Sequence, residues 1–269
     1  MRIFNGPTLP FKKKADPIRF RMEKSDTGQS AEIYIYDVIG DSWEGTTAKQ
    51  FSADLKELGK PKTLNIFINS PGGVVFDGVA IYNALRRHPA HKNVHIDGVA
   101  ASIASVVAMA GDEIQMAANG MMMLHDPWGF VIGRSKDMRD AADRFDKIRD
   151  TLIGTYASRS GSKDTQIAEW MDAETWFSAD EAIAAGLADS ITKEVAAAAL
   201  AVHDLSEFQN VPRSLKALMQ QHKESNPPAP TPEPEKETNP AGTSPARHPA
   251  LDRAAAHLRR RHLTGPALS

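Results

Sequence analysis

Cysteine is absent from the 269-residue chain. Disulfides, thiolate metal sites and cysteine nucleophiles are therefore excluded. An excess of one charge is lacking too: 32 Lys and Arg stand against 34 Asp and Glu, a formal net charge of -2. A dedicated nucleic-acid binder carries a basic surplus, so nucleic acid is not an expected partner. Long hydrophobic runs are also missing. The uncharged residues 98–111 are rich in Ala, Ser and Gly, stop at Asp112 and Glu113, and fall short of the ~20 residues that span a bilayer. No apolar stretch of signal-peptide length precedes Lys12, Lys13 and Lys14. The pattern G-x-x-x-x-G-K-[ST] does not occur, which excludes ATP hydrolysis on a phosphate loop of that kind. What remains, at 41% hydrophobic residues, is a protein with a sizeable core. It is expected to be cytoplasmic, without a membrane partner.

Composition divides the chain. Residues 225–250 hold eight of its 17 prolines and no large apolar side chain. Such a segment cannot bury enough surface to offset its conformational entropy, so an extended disordered linker is expected. Residues 251–269 read as a short basic helix and tail: Arg253, Arg259, Arg260 and Arg261 lie beside Ala254, Ala255, Ala256 and Leu258. Residues 1–29 show no clear period and read as an N-terminal extension. The main domain is expected over residues 30–205, with 206–224 as a connecting segment.

Inside that domain strand-like and helix-like segments alternate. Strands are expected over 31–39, where Ile33 and Ile35 alternate with Tyr34 and Tyr36, and over 64–68, 94–96, 113–116 and 121–124. Thr46 or Thr47 can cap a helix that carries Phe51, Leu55 and Leu58 on one face. Further helices fit 77–87, the Ala-rich segment from about Ser102, and 165–171. A long helix over 136–158 should turn Met138, Phe145, Ile148 and Leu152 inward. Ser178-Ala179-Asp180-Glu181 is a capping box with Gly186 as the matching stop. Alternating β and α over this length predicts an α/β fold with a mainly parallel sheet.

Three segments carry chemical potential. In Gly98-Val99-Ala100-Ala101-Ser102-Ile103 a strand runs through small residues into a helix that starts at a serine. Free N–H groups and the helix dipole there can stabilise an oxyanion, although a serine in that position can also be a plain cap. In Asn69-Ser70-Pro71-Gly72-Gly73 two glycines let backbone N–H groups face a substrate; an ordinary strand-to-helix turn is the other reading. Met121-Met122-Met123-Leu124-His125-Asp126-Pro127 ends an apolar strand with a histidine placed for general-base work, or for a structural role.

Together, and followed by Glu174-Thr175-Trp176-Phe177-Ser178, these motifs resemble the Clp protease proteolytic subunit family of serine peptidases. The resemblance covers about residues 30–192. It implies a crotonase-like spiral of βαβ units with a protruding long helix. It implies Ser102 as nucleophile, His125 as general base, and the N–H groups of Gly73 and Ile103 as the oxyanion hole. The chemistry is coherent: a serine hydroxyl needs an imidazole to take its proton, and the tetrahedral oxyanion needs two fixed donors. The family's third triad member is an aspartate four residues before the serine that opens the last helix. Here Glu174 holds that position, with Asp172 as the alternative. After the histidine the family usually has Gln-Pro then Gly-Gly; this chain has Asp126-Pro127 then Gly129-Phe130. These departures and the Pro-rich extension look most like the Clp-related head-maturation proteases of phages and prophages. The resemblance implies no cofactor and no metal, a homo-oligomeric ring joined through the long helix, and protein substrates. Those substrates are capsid or scaffold precursors or, for an ATPase-coupled subunit, unfolded chains fed by a ring ATPase. Two other readings fit the fold: an acyl-CoA-processing enzyme and a non-catalytic scaffold.

Overall fold

The computed structural model describes residues 20–40, 46–194 and 203–225. The chain divides into two units after Pro227, and every described residue lies in the first. Of the linker expected over 225–250 all but Ser225, and the whole of the basic helix and tail expected over 251–269, lie outside the described residues.

Alternating apolar residues build the sheet from its centre. β3 (Thr63–Ser70) buries Leu64, Ile66 and Ile68 along one face. β2 (Ser30–Ile35) lies parallel to it, Ile33 opposite Ile66 and Ile35 opposite Ile68. On the other side β4 (His91–Ala101) is also parallel, with Val94 opposite Ile66 and Ile96 opposite Ile68. Parallel neighbours need crossovers, and α1 (Ala48–Leu58) and α2 (Val75–Arg87) supply them. The Thr47 hydroxyl caps α1 by accepting the Gln50 N–H at 3.2 Å, and Phe51, Leu55 and Leu58 are buried.

β2 ends sooner than the alternation of Ile and Tyr suggests. The Asp37 carboxylate accepts the Val38 N–H at 2.8 Å, and the Asp37 carbonyl accepts the Ser70 hydroxyl at 2.7 Å. The chain therefore leaves the ladder toward the Gly72-Gly73 turn. A further strand, β1 (Phe20–Lys24), pairs antiparallel with β2 and packs Phe20 and Met22 against the core. The proposed boundary at residue 30 thus cuts a hairpin. Five residues with Arg21, Glu23 and Lys24 among them gave too short a period to read.

β4 forks. Its first half pairs with β5 (Glu113–Ala117), and its last residues pair with β6 (Met121–Leu124); both pairings are parallel. β8 (Ser190–Thr192) extends the sheet beyond β5, and β7 (Thr175–Ser178) runs antiparallel to β6. α3 (Ile103–Ala108) follows β4 and is buried at all six positions. α5 (Asp164–Asp172) precedes β7. The Ser178–Glu181 capping box opens α6 (Ala179–Ala184).

α4 (Ser135–Ser160) has 26 residues but buries only Ala141, Leu152, Ile153 and Tyr156. Met138, expected inward, is 52% exposed. Phe145 and Ile148 are half-buried. The helix overhangs the sheet, so its first turns have no layer beneath them. The α/β class, the mainly parallel sheet and the protruding long helix are those expected. α7 (Arg213–Ser225) closes the described chain. The segment before it and its own first turn pack on the sheet: Leu205, Phe208, Val211 and Leu215 form a buried cluster with Val99, Ala101 and Met123. Residues 206–224 are therefore more than a connector.

Candidate active site

Strand register brings the site together. Ala101 lies opposite Met123 in the parallel β4–β6 pair, so the residues that follow, Ser102 and Leu124-His125, emerge at one edge. The Ser102 N–H donates to the Met123 carbonyl at 3.0 Å. Leu124 lies opposite Thr175 in the antiparallel β6–β7 pair, which sets Glu174 beside His125 along the backbone.

Ser102 occupies the N-cap position of α3 but does not cap it. Its backbone has φ 53 and ψ -130, and its side chain makes no capping bond. A non-glycine residue at positive φ costs roughly 1–3 kcal/mol and persists where its surroundings over-determine it. Here Ser105 does part of that work. Its hydroxyl donates to the Ser102 carbonyl at 2.6 Å and lies 2.7 Å from the Tyr156 hydroxyl of α4. The strained turn aims Ser102 Oγ at His125, whose Nε2 is 2.8 Å away.

His125 is half-buried, and burial pushes its pKa below the usual histidine value of 6.5 against the opposing pull of the Glu174 and Asp126 carboxylates. The imidazole is therefore neutral at pH 7 and able to accept the Ser102 proton. The loop behind it is braced. Arg149 donates to Asp126 at 2.6 Å and to the Ala168 carbonyl at 3.0 Å, while the Asp126 N–H donates to the Met171 carbonyl at 3.1 Å.

The glycine turn closes against the serine. The Asn69 side chain accepts the Val99 N–H at 3.1 Å and ties the end of β3 to β4. Gly72 has φ 103, and a Cβ on it would fall 2.7 Å from Ser102 Cβ. Gly73 has φ 140, and a Cβ there would fall 2.1 Å from the Ile39 carbonyl oxygen. Only glycine allows both approaches. Among the described residues neither the Gly73 N–H nor the Ile103 N–H has a hydrogen-bond acceptor. Gly73 and Ser102 line the same hollow of about 210 Å³ with Pro71, His125 and Phe208.

Glu174 takes a different part from the expected one. It sits at φ 48, and its carboxylate accepts the Asn210 N–H at 2.6 Å and the Gln209 N–H at 3.1 Å. The expected hydrogen bond from His125 to Glu174 is thus not made: two backbone donors compete for the same oxygens. Asp172, at the end of α5, lines a second hollow of about 420 Å³ with His125, Glu174 and Asn210, and it makes no hydrogen bond to the imidazole. Among the described residues His125 Nδ1 has no hydrogen-bond partner.

Phe208 is the site neighbour that motif reading missed. Its ring stands edge-on to the His125 imidazole, centroids 5.5 Å apart at 86°. The one available signal was the apolar spacing Leu205, Phe208, Val211, Leu215 just ahead of a helix.

Among the described residues no group of three or more His, Asp or Glu could hold a metal ion, and no helix is long and apolar enough to cross a membrane. Known proteins bear on the rest. The sequence model of the family described as Clp protease matches residues 25–195. A protein of Salinibacter ruber named ATP-dependent Clp protease proteolytic subunit 1 is 31% identical over 164 residues, 60% of this chain and 70% of the relative. One from Pleurastrum terricola, ATP-dependent Clp protease proteolytic subunit, is 36% identical over 135 residues, 49% of this chain and 69% of the relative. One of the same name from Porphyromonas gingivalis is 30% identical over 161 residues, 58% and 72%. With the family match spanning well over half of its length and the strand-end serine and histidine side by side, the chain belongs to the Clp protease family.

Proposed function

We propose that this protein is a serine endopeptidase that works through an acyl-enzyme on Ser102. The observation that carries the reading is Ser102 itself. A structural serine at a helix start would cap the helix; this one accepts a strained backbone and turns its Oγ to His125 Nε2 at 2.8 Å.

In the reaction, Ser102 Oγ attacks the peptide carbonyl while His125 Nε2 takes its proton. The oxyanion forms against the Gly73 and Ile103 N–H groups, which donate to no acceptor among the described residues. His125 then protonates the leaving amine, and water deacylates the serine with the same imidazole as base. No step calls for a metal or an organic cofactor. The Ser102–His125 pair also separates this reading from acyl-CoA processing, which has no use for it.

The names of the relatives support a proteolytic subunit that acts on protein chains with an ATPase partner. The capsid- or scaffold-maturation reading rests on motif style and the Pro-rich extension. Self-association is part of the proposal. Phe130 and Ile132 are 93% and 99% exposed just ahead of α4, apolar side chains that a second subunit would cover.

A fluorophosphonate should label the protein at one site, a peptide substrate should be hydrolysed, and Ser102→Ala should abolish both. Absence of labelling in the folded protein would favour a scaffold. Tight CoA binding by calorimetry would favour the acyl-CoA reading. A casein-type unfolded chain degraded only when a ring ATPase is added would support the subunit role.

A further inference from the structure

A triad carboxylate has two tasks: it fixes the imidazole's orientation, and it stabilises the imidazolium that forms in the reaction. Among the described residues no carboxylate hydrogen-bonds to His125, yet the ring is held on Ser102. We propose that Phe208 is the positioning residue of His125, and that Glu174 serves the imidazole at one remove, by anchoring the strap that carries Phe208. This rests on the serine-peptidase reading above and deepens it.

The strap is residues 203–212, beyond the end of the family match at residue 195. It is pinned at both ends to segments that bear the site. His203 Nε2 and the Asn69 carbonyl are 2.7 Å apart, immediately before the Ser70-Pro71-Gly72-Gly73 turn. At the other end the two residues after Phe208 donate their N–H groups to Glu174, and the Asn210 side-chain amide donates to the Ala173 carbonyl at 3.0 Å. Between the pins, Leu205, Phe208 and Val211 are buried against Val99, Ala101 and Met123, in the very strand ends that lead into Ser102 and His125.

Phe208 is itself held fast. It is 6% exposed, and its ring packs edge-on against Trp176 at 6.0 Å and 76°. Its contact with His125 at 5.5 Å and 86° is the T-shaped geometry that aromatic rings favour. The ring restricts the rotation of the imidazole by shape and covers it from water. Glu174, with both oxygens engaged by the strap, still places negative charge near His125 and favours its protonated form. The two tasks of the triad acid are thus divided: orientation falls to Phe208, and charge to Glu174 from a distance.

The test is a set of kinetic and pH measurements on the full chain. Phe208→Leu keeps apolar volume, so the strap should stay docked; Phe208→Tyr keeps the ring. Phe208→Leu is expected to lower kcat by about 10-fold to 100-fold with KM little changed, the scale for a misplaced catalytic group. Phe208→Tyr should restore wild-type kcat. The acid limb of the pH–rate profile should move up toward the ordinary histidine value in Phe208→Leu, because the imidazole is wetter; a purely structural loss would not move it. Glu174→Gln keeps one oxygen acceptor and should lower kcat only a few-fold. Three outcomes overturn the proposal: wild-type kcat and pH profile in Phe208→Leu; a higher kcat in that variant, which makes the strap a block; or a loss of about 10³-fold or more in Glu174→Gln, which makes Glu174 a directly bonded triad acid. Failure of the wild type to take a fluorophosphonate is a separate result. It removes the serine-peptidase reading and the proposal with it.

Discussion

Residues 69–125 form the catalytic shelf by backbone; residues 203–215 cover it by side chains. On the shelf, Asn69 ties β3 to β4, the Ser102 N–H donates to Met123, and the register of β4 on β6 brings Ser102 and His125 to one edge. On the strap, two ladder-free ends are pinned to Asn69 and Glu174, and Leu205, Phe208 and Val211, with Leu215 of α7, supply the rest. Hydrogen-bond register is directional and short-ranged, so motifs specify it. Apolar docking is non-directional, so many sequences achieve it and few motifs mark it. The shelf therefore belongs to the family pattern, while the strap lies outside the matched residues 25–195.

Substitutions in the shelf and in the strap should differ in what they damage. The largest effect should come from Ser102→Ala, which should reduce kcat by roughly 10⁴–10⁶ and leave the far-UV spectrum and melting temperature in place. Near-normal turnover by the purified variant would remove Ser102 as nucleophile. Next is Gly73→Ala. Its Cβ would fall 2.1 Å from the Ile39 carbonyl, so the turn must shift and an oxyanion donor goes with it. A loss of about 10²–10³-fold in kcat is expected, the scale for one such donor. Full activity would mean that this turn does not face the reacting carbonyl.

On the strap, Leu205→Ala should cost about 2–3 kcal/mol in denaturant unfolding, since Leu205 is 3% exposed. An unchanged midpoint would show that the strap is not docked in solution. The smallest effect is the shape of the pH profile. Burial holds His125 below 6.5, so the protonated, inactive form is the minor one at neutral pH. kcat/KM should hold from pH 7 downward and fall only as pH passes through that depressed value. A midpoint above 6.5 would mean that the imidazole is more exposed, or closer to a carboxylate, than the structure has it.

Much of the fold is legible in the amino-acid sequence, and particular residues show why. Thr47, Ser178 and Gly186 mark helix ends through bonds made within a few residues, so their sequence signals held. The alternation of Leu64, Ile66 and Ile68 marked β3 because one face of that strand is buried and the other is not. Met138 misled, because an apolar residue at helical spacing points to a core only when a layer lies beneath it. β1 escaped because its partner, β2, supplies the pairing that its own five residues do not advertise.

The amino-acid sequence alone excludes thiol chemistry and a phosphate-loop ATPase and predicts the α/β class; its resemblance to the Clp peptidases is what singles out Ser102 and His125. The exclusions and the fold class rest on residue identity and local spacing, and the Ser102–His125 pair on what the resemblance implies. Where the carboxylate of Glu174 goes depends on long-range folding. Its position in the chain puts it beside His125, but its oxygens are claimed by the Gln209 and Asn210 N–H groups, some 35 residues away. A carboxylate binds whichever donors the fold delivers to it, and backbone donors brought in by a distant apolar segment leave no trace in the motif around Glu174.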